Sequence, residues 1–388
     1  MGARTPHQNR GIALVYPGKP SAPDPVAEVG PVRFRPASVI GQARLDGWVN
    51  RLILGDSLPV LRALLDDHTV AQRIRLVYID PPFSTDHEYR GGSLRTATVS
   101  ASRRDPKAYD DRLAGPEYLE FLRQRLVLLG RLLADDGSIY VHIDYKVGHY
   151  VRVLLDEIFG QDHFINDIAR VKCNPKNFPR KAYGNIKDMI LFYSKGKDRV
   201  WNGAREEMAQ EDIARLFPKM DGEGRRYTTT PLHAPGETQN GPTGRPWRGL
   251  KPPRGRHWRY DPEELSRLDR EGLIEWSTTG NPRKKIYADE VVGAAKKRQD
   301  IWHFKDPAYP SYPTEKNLDM LKAIVEASSE PDDIVLDCFT GSGTTLVAAE
   351  LCGRRWIGVD SSPVAIRVAR SRLVAIRHIS AFRVLRAS

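Results

Sequence analysis

Ile74-Arg75-Leu76-Val77-Tyr78-Ile79-Asp80-Pro81-Pro82-Phe83 is the stretch on which the fold turns. Its first six residues are largely apolar and predict a buried strand. An acid and two prolines then end it, because proline fixes φ and has no N–H to give to a ladder. The Asp80 carboxylate, the proline carbonyls and an aromatic face are left together at the C-terminal end of the strand. Open α/β sheets bind their ligands at that end. Asp-Pro-Pro also serves as a plain loop after a strand. A second stretch shifts the balance: Ile334-Val335-Leu336 leads into Asp337-Cys338-Phe339-Thr340-Gly341-Ser342-Gly343-Thr344-Thr345.

Both stretches sit in strand–helix–strand units, the mark of a parallel sheet. Before the first, Arg51–Leu54 reads as a strand, Gly55-Asp56-Ser57 as a turn, and Leu58, Leu61, Leu64 and Leu65 as a helical face. Asp56 therefore shares a sheet edge with Asp80, although Gly-Asp-Ser is also an ordinary helix cap. After the first, residues 84–116 lack periodicity and read as a long loop, a lid or a DNA-contacting segment. A helix follows from Tyr118 to Leu133, closed by Asp135-Asp136-Gly137, then a strand over 138–144 in which His142 reads as a structural residue. A helix over 147–159, strands near 165–171 and 188–193, and a basic loop over 172–181 complete this half. Around the second stretch, Thr314 caps a helix carrying Leu318, Leu321, Ile324 and Val325. A strand over 333–337, a helix over 344–351 and a strand over 355–360 come next. The expected fold is α/β.

Between about 200 and 305 this rhythm stops. Arg245, Trp247, Arg248, Lys251, Arg254, Arg256, Trp258, Arg259 and Tyr260 crowd a Pro/Gly-rich region, with no acid between Glu237 and Asp261. Phosphates need cations and turned-out bases need flat faces to stack on. A small irregular domain with tryptophans in its core and solvated arginines would read the same way, but solvated faces usually mix signs. Residues 1–43 hold Pro17, Pro20, Pro23, Pro25, Pro31 and Pro36, which argue against any regular element and for a mobile arm. The expected organisation is an arm over 1–43, one half of an α/β domain over 44–199, an insert over 200–305 and the other half over 306–388.

Composition fits this picture. The chain has 388 residues, 40% of them hydrophobic, enough for a real core, and a net charge of +11 that suits a polyanionic partner. Its sequence pI is about 9.5. Cys173, Cys338 and Cys352 form no CxxC pair, so neither a disulfide framework nor a structural metal is expected. No apolar leader or membrane-length run occurs, and the expectation is a cytoplasmic protein without a membrane partner.

The two stretches suit complementary chemistry. The Gly341-Ser342-Gly343 turn permits close backbone approach, and the helix after it presents N–H groups to an anion. Asp360 ends the next strand, about 20 residues on, where a carboxylate accepts ribose hydroxyls. A dinucleotide fingerprint would place glycine at 346, where Leu346 stands, so S-adenosylmethionine fits better than NAD. At the other site, Asp80 and the Pro81 carbonyl offer two acceptors to an –NH2 group. Together they would localise a lone pair otherwise delocalised into a base ring. Phe83 would stack on that base, which must first leave its duplex.

These residues resemble the amino-methylating DNA methyltransferases of the permuted β class, above all the N6-adenine enzymes of bacterial restriction–modification systems. Leu54–Leu58 is similar to that family's adenine-slot turn, Asp80–Phe83 to its catalytic motif, and Asp136–Asp144 to the segment after the catalytic helix. Tyr312–Lys316, Asp337–Thr345 and Gly358–Asp360 are similar to its cofactor motifs, and the catalytic half comes first. The resemblance implies a Rossmann-like, circularly permuted sheet of seven strands with one antiparallel hairpin and an inserted target-recognition region. It implies Asp80, Pro81, Pro82 and Phe83 as catalytic residues. It also implies S-adenosylmethionine held by Asp56, Thr314, Lys316, Asp337, Phe339, Gly341, Gly343, Thr344 and Asp360. The insert residues Arg245, Trp247, Arg248, Lys251, Arg254, Arg256 and Arg259 would contact duplex DNA. A restriction subunit and a second copy of the chain are the further partners implied. Asn317 departs from the family's usual proline and Phe83 from its usual tyrosine. The leading Asp80 favours adenine. Open rivals are the N4 amine of cytosine, an RNA base, a protein glutamine amide, and a DNA-binding specificity subunit without catalysis.

Overall fold

The computed structural model describes residues 12–20, 29–82, 88–90, 107–110, 115–174, 181–206, 208, 210–238, 240–292, 296–308, 310, 312 and 315–388. The chain divides into two compact units, Met1–Ala204 with Gln299–Ser388, and Arg205–Arg298.

The first unit is built on a ten-stranded sheet. Its strands are β1 Phe34–Ile40, β2 Asn50–Leu54, β3 Ile74–Ile79, β4 Leu133–Ile143 and β5 Phe164–Val171, then β6 Lys187–Ser194, β7 Ile301–Trp302, β8 Ile334–Asp337, β9 Arg355–Asp360 and β10 Phe382–Ala387. They lie in the order β1-β10-β2-β9-β8-β3-β4-β6-β5-β7. From β10 to β4 neighbouring strands are parallel. β6 runs antiparallel to both β4 and β5.

Helices cover both faces, and the division follows the sequence. α1 Ser57–Leu65, α2 Gly115–Leu132 and α3 Gly148–Phe159 pack on one face, over Ile53, Val77, Ile79 and Ile357. α4 Leu318–Ser328, α5 Thr344–Leu351 and α6 Pro363–Val374 pack on the other, over Leu52, Leu76, Tyr78 and Trp356. Successive strand residues point to opposite faces, so one unbroken apolar run serves both cores. From β3 the chain passes through α2 to β4 on one side, and from β8 through α5 to β9 on the other. β3 and β8, paired Leu336 to Val77, are thus the topological switch point.

Several elements differ from the sequence reading. The arm is partly regular: β1 pairs antiparallel with β10, from Phe34–Ala387 to Ile40–Phe382. Pro36 is tolerated there because the strand is at an edge and its register shifts between Pro36 and Val39. Upstream, Tyr16 is buried and donates its hydroxyl to Glu120 at 2.9 Å, while Lys19 pairs with Glu157 at 2.6 Å. The sheet has ten strands where seven were expected; β1, β10 and β7 flank the seven. Within the 84–116 stretch, Glu88–Arg90 pairs with Lys107–Asp110. Ile301–Trp302, placed in the insert by sequence, is β7 and pairs with β5.

The second unit holds a four-stranded antiparallel sheet of Lys219–Met220, Arg226–Pro231, Pro282–Tyr287 and Ile274–Trp276. Its helix Pro262–Arg270 is capped by Asp261, which accepts the Glu264 N–H at 2.8 Å. Leu265 and Leu268 of that helix pack with Leu232, Trp247, Trp258 and Ile274 in a core of its own. Among the described residues no helix of either unit is long and apolar enough to cross a membrane.

Candidate active site

The tips of β2, β3, β8 and β9 share one edge, and each delivers an acid. Asp56 follows β2, Asp80 follows β3, Asp337 ends β8 and Asp360 ends β9. All four line a cavity of about 330 Å³ in the first unit, with Pro81, Pro82, Lys316, Phe339 and the Thr340–Ser342 turn. That volume lies within the range of small-molecule sites.

Asp80 is held from two sides. Its Oδ2 lies 2.5 Å from Lys316 Nζ, and its side chain is 17% exposed. Its buried Oδ1 finds no hydrogen-bond partner among the described residues and sits 3.9 Å from His142 Nδ1. His142 is fully buried in β4, and burial pushes its pKa down, so the ring is neutral. Its Nε2 lies 3.3 Å from Asp188 and its Nδ1 2.8 Å from the Tyr78 hydroxyl. A carboxylate only accepts, so Nε2 carries the proton and Nδ1 accepts from Tyr78. Burial pushes Asp188 up, but His142 and Lys172, the latter at 2.6 Å, outweigh it and hold the carboxyl well below its usual range.

The glycine turn is set by internal hydrogen bonds. Asp337 accepts the Phe339 N–H at 2.9 Å, and burial raises its pKa to about 7 against the opposing bond from Thr345. Gly341 and Gly343 take φ of 52° and 79°, the left-handed region. A Cβ on Gly343 would stand 2.8 Å from that of Ala369 on α6. Asp360 accepts the Gly341 N–H at 2.8 Å through Oδ2 and the Ser362 N–H at 2.8 Å through Oδ1, while burial pushes its pKa up. The Gly341 N–H therefore orients the acid. The Gly343 N–H likewise closes the turn on Thr340 O at 2.8 Å.

Asp56 does both things its sequence context allowed. It caps α1 by accepting the Leu58 N–H at 2.9 Å, and it pairs with Arg125 Nη2 at 2.7 Å beside the cavity. Arg125 lies 3.6 Å above the Phe121 ring, whose centroid is 6.0 Å from that of Phe339. These rings, tilted 44° to each other, give the cavity an apolar wall. Phe83 and Thr314 lie outside the described residues. The buried Cys338 thiol is pushed far up in pKa by burial and is no nucleophile. Among the described residues no group of three or more His, Cys, Asp or Glu side chains could hold a metal ion.

In the second unit Arg245, Arg248, Lys251, Arg254, Arg256 and Arg259 are exposed. Arg248 pairs with Asp269 at 2.5 Å, and Arg259 Nε donates to Pro231 O at 3.0 Å. Trp247 does not serve as a base-stacking face. It is 3% exposed, stacked on Trp276 at 5.8 Å, and donates its indole N–H to Ser266 at 2.9 Å, because this small unit spends its aromatics on its core. Sequence reasoning also assigned no role to Arg125 and Tyr78, which line the cavity. Only Arg125 carried a signal, a cation inside the leucine-rich face of α2.

A family model described as DNA methylase matches residues 74–371. The Type II methyltransferase M.EcaI of Enterobacter cloacae is 43% identical over 331 residues, 83% of this chain and 69% of that protein. The Type III restriction-modification enzyme StyLTI Mod subunit of Salmonella typhimurium is 26% identical over 331 residues, 76% of this chain and 49% of its own length. Among solved structures, the M1.HpyAVI–SAM complex aligns with 83% of this chain and 98% of its own, at 16% identity and a TM-score of 0.44.

Proposed function

This chain belongs to the DNA methylase family, and on that premise we propose that it moves the methyl group of S-adenosylmethionine to the exocyclic N6 amine of an adenine turned out of duplex DNA. One observation carries the reading. The carboxylates of Asp80, read as an amine acceptor, and of Asp360, read as a ribose acceptor, line the same cavity at the β3/β8 switch point.

The residues present fit such a cofactor. Asp360 is aimed by two backbone N–H groups, each taking one of its oxygens, and can still accept from ribose hydroxyls. Phe339 and Phe121 offer an aromatic surface to a flat ring. When bound, S-adenosylmethionine supplies an electrophilic methyl carbon on a sulfonium sulfur.

The chain's own groups prepare the nucleophile. Asp80 and the Pro81 carbonyl accept the two amine hydrogens, which draws the nitrogen toward tetrahedral geometry and localises its lone pair. That lone pair would then be free for the methyl carbon the cofactor supplies, and the proton the nitrogen loses would pass to the Asp80 carboxylate that already accepts its hydrogen. Lys316 orients the Asp80 carboxylate from the side. His142, pinned between Tyr78 and Asp188, walls off its other oxygen. The exposed cations of the second unit bind the phosphate backbone. The Mod-subunit relative supports a restriction subunit as partner.

The test is transfer of labelled methyl from S-adenosylmethionine to unmethylated duplex DNA, followed by nucleoside analysis. Label in N6-methyladenine is expected. Label in N4-methylcytosine would keep the mechanism and overturn the base, and none in DNA would overturn the reading.

A further inference from the structure

We propose that Arg372 is a positioning residue for this methyl transfer, locking the Ser342–Thr344 turn to the segment that brings Lys316 against Asp80. The inference rests on the function proposed above. Arg372 lies in the last turn of α6. Its Nη1 lies 3.0 Å from Ser342 O, 2.8 Å from Ser342 Oγ and 2.8 Å from Thr344 Oγ1. Its Nη2 pairs with Glu315 Oε1 at 3.1 Å. Glu315 directly precedes Lys316, whose ammonium holds Asp80 at 2.5 Å.

Ser342, Thr344, Lys316 and Asp80 line the cavity, whereas Arg372 stands behind them. One guanidinium therefore ties the cofactor end of the site to the amine end without touching either ligand. Burial disfavours its charge and Glu315 opposes that effect. A planar fork meets a hydroxyl pair on one side and a carboxylate on the other; an ammonium cannot reproduce that geometry. Ser342 and Thr344 hydroxyls stand 3.0 Å apart, and both accept from Arg372. Their own hydrogens are then left to each other and to the cavity, where a donor suits the carboxylate of the methionine moiety.

The two arms of the fork predict separable effects. Arg372→Ala should weaken S-adenosylmethionine binding about 10-fold, the scale of one charge-assisted hydrogen bond, and lower kcat as well. Glu315→Gln keeps an acceptor but removes the charge facing Arg372 on the side of Lys316 and Asp80, so it should lower kcat more than it lowers cofactor affinity. Arg372→Lys should not restore wild-type behaviour, while millimolar guanidinium should partly rescue Arg372→Ala. Calorimetric cofactor titration, steady-state kinetics and melting temperature are read on all three variants. Unchanged affinity and kcat in Arg372→Ala, or wild-type values in Arg372→Lys, would overturn the proposal. If Arg372→Ala does not fold, the other two variants decide it. A wild-type protein that binds no S-adenosylmethionine would instead bring down the function itself, and this proposal with it.

Discussion

Asp80 turns one oxygen to Lys316 and the other toward His142, so neither its charge nor its direction is left to solvent. An acceptor proposed to hold an amine hydrogen gains from such fixing, since a group placed in advance needs no reorganisation during reaction. Asp80→Ala should therefore abolish methyl transfer while leaving S-adenosylmethionine affinity within about twofold, because the ribose contact is proposed for Asp360 on another strand. Cofactor titration beside a methyl-transfer assay checks this, and retained turnover would remove Asp80 from its role. Asp337 makes a different prediction. Its pKa in the fold is about 7, raised by burial from the ordinary 3.8. A carboxyl raised in this way binds its proton more tightly when folded, so the stability it lends is full below its unfolded pKa and lost as pH rises through 7. Asp337→Asn should keep the acceptor for the Phe339 N–H but lack the titration. The melting-temperature difference, variant minus wild type, should then grow between about pH 4 and pH 7, and a flat difference would contradict the assignment. The four acids were readable because each ends an apolar run. His142 was not readable as part of the site: its partners Tyr78 and Asp188 are 64 and 46 positions away, and only strand pairing brings them together.

The strand–helix–strand units were legible at the scale of elements because β3, β8 and β9 are short apolar runs closed by acids, prolines or glycines. α6 was not. Its buried positions Ala365, Ile366, Ala369 and Leu373 are interleaved with arginines, so small residues carry half of its packing face and the helical stripe is faint. β1 and β10 escaped for a related reason: each looks polar or proline-broken alone and gains sense only when paired. The close approach of α6 to the glycine turn gives this scale its prediction. Gly343 caps α5 in the left-handed region at φ 79°, and a Cβ there would meet Ala369 at 2.8 Å. Gly343→Ala forces either an unfavourable backbone, about 1–2 kcal/mol, or a displaced α6, which carries Arg372. Chemical denaturation should show a loss of at least that size, and cofactor affinity should fall with it. A variant destabilised but binding S-adenosylmethionine normally would mean that the turn tolerates the shift and that its geometry is not what binds the cofactor.

Every described residue lining the cavity belongs to the first unit, and the second unit has a core and a sheet of its own. The chain as a whole thus separates the chemistry of the site from the surface proposed to meet DNA. Composition foretold that surface in part. The run without acids from Glu237 to Asp261 does place Lys251, Arg254, Arg256 and Arg259 in solvent, but the tryptophans among them turned inward, since a unit this small buries too little surface without its largest side chains. Backbone contact is an electrostatic matter: each phosphate neutralised releases counterions, and the logarithm of affinity falls with the logarithm of salt by about 0.9 per contact. Replacing Arg254, Arg256 and Arg259 with glutamine should weaken binding to duplexes of any sequence and shallow that slope by about two to three units. Cofactor titration of the same variant should match wild type, which separates lost contact from lost fold. An unaltered slope at reduced affinity would mean that these side chains support the unit's structure, as Arg259 does in part through its bond to Pro231, and that the phosphates are met elsewhere.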